Sequence, residues 1–465
     1  MNKFIAFFVA IGKWFKNVGI AIGKWFKNWF VPVDGKAIIP VRIGRWFKSL
    51  FVKTDDVDEP RLKTLYKKPG TKSVLSSILC IAFGILVGMV ILVVVGIISK
   101  EAKPNDILRG LLIILIGPLY TGSRARIEIG IDPFAIGNML LNATPLVLTG
   151  LSVAIAFKTG LFNIGAPGQY LMGTMVSLII ALSITPSTSF GAFCVWLLAL
   201  LGGMIAGALW GTIPGLFKAL LGVNEVIVCI MTNWIAANIV SWVFEGSAFI
   251  NNADGKNGYL YNTLQNNVAT PRMFMDKIFP GSWADGGIII AILIAIGLYV
   301  MLNKTTFGFQ LKACGSNRNA ARYAGMQDKR NIVLSMAIAG ALAGAGASLY
   351  YLNGNTEFYW KTYMSLPADG FNGIPIALLA TSNPIGVVFA AIYMAFLTAG
   401  GGKLGNFTAF NSFIADLIIA VIIYFAGFSK LFRQILEGKK KLNGTDKPTD
   451  NSNNTNDTAV VEAKE

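Results

Sequence analysis

"FNIGAPGQYLMG", residues 162–173, stands between two apolar runs, Pro145–Phe157 on one side and Met175–Leu182 on the other. Gly165, Pro167 and Gly168 argue against one continuous helix through it. A new helix is expected to start at Pro167 or Gly168, because proline suits a first helical turn. The backbone amides at such a start lack partners within the helix, and they lie beside the side-chain amides of Asn163 and Gln169. At membrane depth, unpaired backbone is tolerated only where protein buries it or a watery cavity bathes it. In transporters, breaks of this kind mark the solute path near the midplane. The rival reading is a plain turn at the membrane edge, with Lys158 at the headgroups.

The surrounding chain makes the membrane setting firm. Of 465 residues, 54% are hydrophobic and only 14% charged, with a mean hydropathy of +0.59. Several apolar runs approach the roughly 18–20 residues that span a bilayer as a helix. The pattern is helical, without the ten-residue alternation of a barrel. The fold class read from this is an all-α polytopic membrane protein of about ten transmembrane helices, with inverted-repeat halves and broken helices. The spans are read at Val74–Ser99, Ile136–Phe157, Gly168–Leu182, Phe190–Trp210, Val223–Phe244, Gly287–Leu302, Ile332–Leu352, Phe371–Ala380, Pro384–Thr398 and Phe413–Phe432. Phe371–Ala380 is too short to cross alone, and Leu111–Leu119 is a further short apolar run.

Composition also narrows the chemistry. Histidine is absent, which removes imidazole bases and most zinc sites. Cys80, Cys194, Cys229 and Cys314 are scattered without a C-x-x-C pair and read as small buried thiols. No metal, cofactor or catalytic set is expected, and the chain lacks a phosphate-binding loop of its own.

Lysine and arginine set the expected orientation. Lys304, Lys312, Arg318, Arg322, Lys329 and Arg330 crowd one short loop against a single acid, Asp328. The loop at residues 245–285 is longer and poorer in cations. The positive-inside rule therefore puts both termini and the 304–330 loop in the cytoplasm of a plasma-membrane protein. Topology and lipid attraction account for the net charge of +16, and nucleic acid is not needed as a partner.

Before the first span, residues 1–72 form a basic arm. "IGKWFKN" occurs at Ile11–Asn17 and again at Ile22–Asn28, and "IGRWFKS" follows at Ile43–Ser49. The eleven-residue offset is three helical turns. It places Trp14 and Trp25 on one face, with Lys13, Lys16, Lys24 and Lys27 opposite. Such a helix suits the surface of anionic lipid. A solubility tail is the plainer alternative, and a signal peptide fits poorly because Lys13 interrupts the apolar core. The membrane domain is read as 73–434 and a polar, disordered tail as 435–465.

Further polar groups sit inside the spans. "GVNEVIVCIMTNWIA", residues 222–236, carries Glu225 and Asn233, both costly in lipid. For Glu225 the plain reading is pairing with Lys218; for Asn233 it is an interhelical hydrogen bond. A second break, "FNGIPIALLATSNPIG" at Phe371–Gly386, faintly echoes the first. The residues assigned to a solute path are Asn163, Gln169 and Asn233, then Asn142 and Asn372, with Glu225 beside them.

The basic loop is the most specific element. In "GFQLKACGSNRNAARYAGM", residues 308–326, Ser316 or Asn317 is placed to cap a short helix that Gly325 ends. Gly315, Asn317, Ala320, Ala321, Ala324 and Gly325 fit a G-x-N-x-x-A-A-x-x-A-G pattern, with Arg322 inside it. That pattern resembles the coupling loop of permeases in ABC importers, in the branch serving simple sugars, nucleosides and branched-chain amino acids. The Asn-Ile-Gly-Ala-x-Gly-Gln, Asn-Glu-Val-Ile and second broken segments resemble the same family in the expected order, over residues 136–432. Pro167 and Pro375 depart from its usual residues and bear on substrate and local geometry.

The resemblance is greatest to the nucleoside-type members. It implies a permease without enzymatic activity, moving a small polar solute by alternating access. The implied partners are a cytoplasmic ATP-binding subunit, a second permease subunit, identical or distinct, and an extracellular lipid-anchored substrate-binding protein. Simple sugars or branched-chain amino acids remain alternative cargoes. An ion-driven secondary transporter resting on Glu225, a membrane enzyme and a non-transporting scaffold are the rival classes.

Overall fold

The computed structural model describes residues 69–98, 104–123, 126–253, 255–360, 366–410, 412–428, 431, 432 and 434. The basic arm with Lys13, Trp14, Lys16, Lys24, Trp25 and Lys27 lies outside the described residues, as does the tail. Among the described residues the regular structure is helical, with isolated bridges such as Tyr259 with Tyr359.

Fourteen α-helices follow in order among the described residues. They are α1 Pro69–Ile98, α2 Pro104–Ile116, α3 Pro133–Lys158, α4 Ala166–Ser183, α5 Ser189–Leu216, α6 Glu225–Phe244 and α7 Met275–Ile278. Then come α8 Gly287–Lys304, α9 Thr306–Ser316, α10 Arg318–Tyr323, α11 Asp328–Tyr351, α12 Ala368–Leu379, α13 Pro384–Phe407 and α14 Ser412–Ala426. Eight of these are long and apolar enough to cross a bilayer: α1, α3, α4, α5, α6, α8, α11 and α13.

The other two expected spans come out short. α12 has 12 residues, because Thr381 and Ser382 adopt left-handed backbone (φ 49° and 56°) and break the chain before Asn383 caps α13. α14 has 15 residues, with a turn following at Gly427. In contrast, α5 overruns its expected end at Trp210. Pro214 removes only one helical hydrogen bond, so the helix continues through a wide turn at Phe217–Leu221 and stops at Gly222, where φ is 70°.

Burial sorts the helices into centre and rim. In the apolar stretch of α3, 83% of residues are buried, against 22% in α1, so α3 is enclosed by protein and α1 lies at the rim. α11 packs on α5, α3 and α4, while α12 and α13 pack on α3, and α14 on α1. The α5–α11 contact is made by glycines one turn apart. A Cβ at Gly207 would collide with the Gly340 carbonyl, and one at Gly344 with the Gly203 carbonyl. Small residues allow this backbone approach, and tight van der Waals packing is what holds helices together where lipid supplies no hydrophobic drive.

Candidate functional site

α3 ends at Lys158, the chain turns at Gly160, and α4 begins at Ala166, one residue before the earliest expected start. Between them Asn163 is fully buried. Its Nδ2 donates to Ser152 Oγ (3.1 Å) and to Gln169 Oε1 (2.9 Å). Its Oδ1 accepts from Gln169 Nε2 (3.0 Å) and from the Gly165 amide (3.1 Å). From α6, Asn233 Oδ1 accepts from the Gly168 amide (2.9 Å), and Asn233 Nδ2 donates to the Ile164 carbonyl (3.0 Å).

The expectation of free amides at this helix start is therefore corrected: the Gly165 and Gly168 amides both have side-chain partners. The reason is energetic, since an orphaned buried donor costs about 1–3 kcal/mol. Asn163, Gln169 and Asn233 form one closed polar knot that ties α3, α4 and α6 together. Asn142 is exposed on α3 and Asn372 is half-buried on α12, neither bonded into the knot. Glu225 is held by Lys218 Nζ at 2.8 Å.

The basic loop has the local structure its sequence suggested. Asn317 Oδ1 accepts from the Ala320 amide (3.0 Å) and caps α10, and Gly325 ends the turn at φ 78°. Ala320, Arg322, Ala324 and Gly325 are exposed, whereas Ala321 is buried against its own bundle. The outward face thus consists of Ala320, Arg322, Ala324 and a 93% exposed Tyr323, which sequence reasoning passed over. Arg318 Nε meets Asp328 Oδ2 at 2.7 Å, pinning α10 to the start of α11.

The loop is seated on the turn that leads to the knot. A Cβ at Gly315 would strike the Lys158 carbonyl. Next to it, the Ser335 and Thr159 hydroxyls are 2.8 Å apart. α9 and the first turns of α11 therefore press directly on residues 158–160, three residues from Asn163.

At the opposite end of the bundle, α8 and α11 are joined by Asp285. Its carboxylate accepts from the Gly287 amide (2.8 Å) and from Asn353 Nδ2 (3.1 Å). Burial outweighs these bonds and pushes the Asp285 carboxyl up to about 6. No motif had singled out Asp285 or Asn353; each lies in a polar loop, and only packing brings them together.

A bundle of membrane-length helices, broken next to a buried amide knot and carrying an exposed capped helix at its basic end, defines a multi-pass permease. A profile of the family described as "Branched-chain amino acid transport system / permease component" matches residues 135–426, more than half of the chain, and the protein belongs to that family. The chain is 36% identical over 313 residues to the guanosine ABC transporter permease protein NupP of Bacillus subtilis, covering 67% of this chain and 86% of that protein. It is 33% identical over 385 residues to the nucleoside ABC transporter permease protein NupB of Lactococcus lactis, covering 81% and 96%. The glucose ABC transporter permease protein TsgB13 of Haloferax volcanii is 28% identical over 359 residues, covering 72% and 91%. No solved structure matches the chain.

Proposed function

We propose that this protein is the membrane-spanning subunit of an ATP-driven importer of nucleosides. The observation that carries the reading is the seat of the basic loop: α9, which leads straight into the capped helix α10, packs at Gly315 against the Lys158 carbonyl, in the turn that precedes Asn163. A push from an ATP-binding subunit on Ala320, Arg322 and Ala324 has a short rigid route to the α3–α4 break. The nucleoside cargo is supported by the permeases NupP and NupB, which the chain matches over most of their length.

In this reading α10 and both termini face the cytoplasm. A second permease subunit completes the path, and a lipid-anchored binding protein delivers solute from outside. The amide knot of Asn163, Gln169 and Asn233 is the closed form of a gate, and Asn142 and Asn372 line the path toward the partner subunit. The Trp14 and Trp25 face of the basic arm lies on anionic lipid, with Lys13, Lys16, Lys24 and Lys27 among the headgroups. An ion-coupled mechanism loses its support, because Glu225 is already neutralised by Lys218.

The test is uptake by the assembled system in proteoliposomes, comparing labelled nucleosides, glucose, ribose and leucine with and without ATP. ATP-dependent nucleoside uptake is expected. Uptake that persists without ATP and collapses with an ionophore would overturn the proposal, as would labelling of a cysteine at position 322 from outside intact cells.

A further inference from the structure

α12 begins beside the first helical turn of α4. A Cβ at Gly370 would lie 2.5 Å from the Pro167 Cα. That contact brings the preceding residue, Asp369, among three phenols: Tyr170 on α4 and Tyr350 and Tyr351 at the end of α11, all within electrostatic range of its carboxylate. The rings are ordered. Tyr170 and Tyr351 have centroids 6.3 Å apart, Tyr350 and Tyr351 5.2 Å, and Tyr351 and Phe358 5.2 Å, each pair edge-to-face.

Two features of this cluster are at odds with a purely structural role. Asp369 is surrounded by protein yet keeps some exposure, and its carboxylate has no hydrogen-bond or ion-pair partner among the described residues. Tyr170 is fully buried, and its hydroxyl has no partner among the described residues. A half-buried carboxylate without a partner is costly for a membrane protein to keep, and by default it marks a functional site. Here an unused acceptor pair and an unused hydroxyl donor share one aromatic enclosure.

We propose that Asp369, Tyr170 and Tyr351 form a recognition site for a purine base with two adjacent N–H donors and a neighbouring carbonyl oxygen, the pattern of guanine. The inference rests on the nucleoside reading above. The carboxylate accepts the two donors side by side, the Tyr170 hydroxyl donates to the carbonyl, and the Tyr351 ring supplies apolar contact to the base. Adenine presents an acceptor where guanine presents its ring N–H, so it meets the carboxylate lone pair to lone pair. A site built to bond a polar group rejects the analogue lacking it by large factors, because its own groups are then left unpaired.

The experiment measures competition by unlabelled guanosine, inosine, adenosine and cytidine against labelled guanosine in the assembled transporter. Wild type is expected to prefer guanosine over adenosine by at least tenfold, with inosine between them. Asp369→Asn is expected to abolish that ordering while ATP-binding subunits stay attached. Tyr170→Phe, which removes only the orphan hydroxyl, is expected to weaken guanosine and inosine about equally, severalfold, and to spare cytidine. Nucleoside uptake with the same preference in wild type and both variants overturns this inference and leaves the nucleoside reading intact. Absence of any nucleoside uptake by wild type overturns that reading itself. Loss of all uptake in Asp369→Asn, with an ion dependence appearing in wild type, assigns the carboxylate to a cation and also overturns the inference.

Discussion

Asn163 and Gln169 exchange two hydrogen bonds between their side-chain amides, at 2.9 and 3.0 Å, across the break between α3 and α4. The pairing closes both amides on each other and leaves Asn163 Oδ1 to hold the Gly165 amide as well. The Gly165 amide at the helix start is thereby given a partner from within the protein.

Asn163→Ala should lower the thermal midpoint of the detergent-purified protein. The change strands the Gln169 amide, the Ser152 hydroxyl and the Gly165 amide together, and hydrogen bonds between membrane helices average about 0.6 kcal/mol each. The stranded groups raise the expected loss to about 1–3 kcal/mol. Asn163→Asp should also fail to restore the wild-type midpoint, because a carboxylate cannot donate to Ser152 and Gln169. An unchanged midpoint in Asn163→Ala, followed by intrinsic fluorescence, would show that the knot is not structural.

Gly207→Leu should abolish accumulation of the protein. The added side chain meets the Gly340 backbone, which has no rotamer to yield, and overpacking of this kind costs at least about 1–3 kcal/mol. Gly297→Ala on α8, where a Cβ meets nothing within 4 Å, should accumulate normally and transport within about twofold of wild type. Membrane yield of the two variants side by side is the readout.

Asp285 gives the end of the bundle opposite the basic loop a pH dependence. Its folded carboxyl titrates at about 6, above an unfolded value of about 3.9. The folded state therefore holds the proton more tightly, and the favourable contribution is complete below about pH 4. It is lost as pH rises through 6. The thermal midpoint should be higher at pH 5 than at pH 7.5, and Asp285→Asn should flatten that part of the slope. An identical slope in the variant would remove Asp285 as the cause.

Asn317→Ala should loosen α10 without touching the membrane helices. Loss of an N-cap costs about 0.5–2 kcal/mol, confined here to a six-residue helix pinned also by Arg318 and Asp328. Retention of the ATP-binding subunit on purification should fall severalfold while yield stays normal. Ala324→Trp, on the exposed face, should block retention outright, whereas Ala321→Trp should reduce yield because Ala321 is buried. Full retention in Ala324→Trp would relocate the docking surface.

Much of the molecule is legible from the chain. Pro167 and the glycines around it announce a break, and α4 starts at Ala166. Asn317 and Gly325 announce a capped turn of helix, which is found at Arg318–Tyr323. Glu225 and Lys218 are seven residues apart in the chain and pair. What misled was the partner count: the Gly165 and Gly168 amides read as free because neither Asn163 nor Asn233 announces which way its amide points. Tyr323 was missed because an exposed aromatic beside an Ala-rich motif has no periodicity of its own.

The sequence by itself determined that this is a multi-pass helical membrane protein, where its helices break, and which short helix projects at the basic end. Those features follow from local quantities: the apolar length of a segment, a proline in a first turn, a capping side chain two or three residues from the amide it serves. Only the tertiary structure decided what closes the break. Asn233 reaches the Gly168 amide from 65 residues away, Asn353 reaches Asp285 from 68, and Gly370 meets Pro167 because α12 folds back on α3 and α4. Such pairings depend on helices packing at backbone contact, and the space between two helices is a property of neither segment alone.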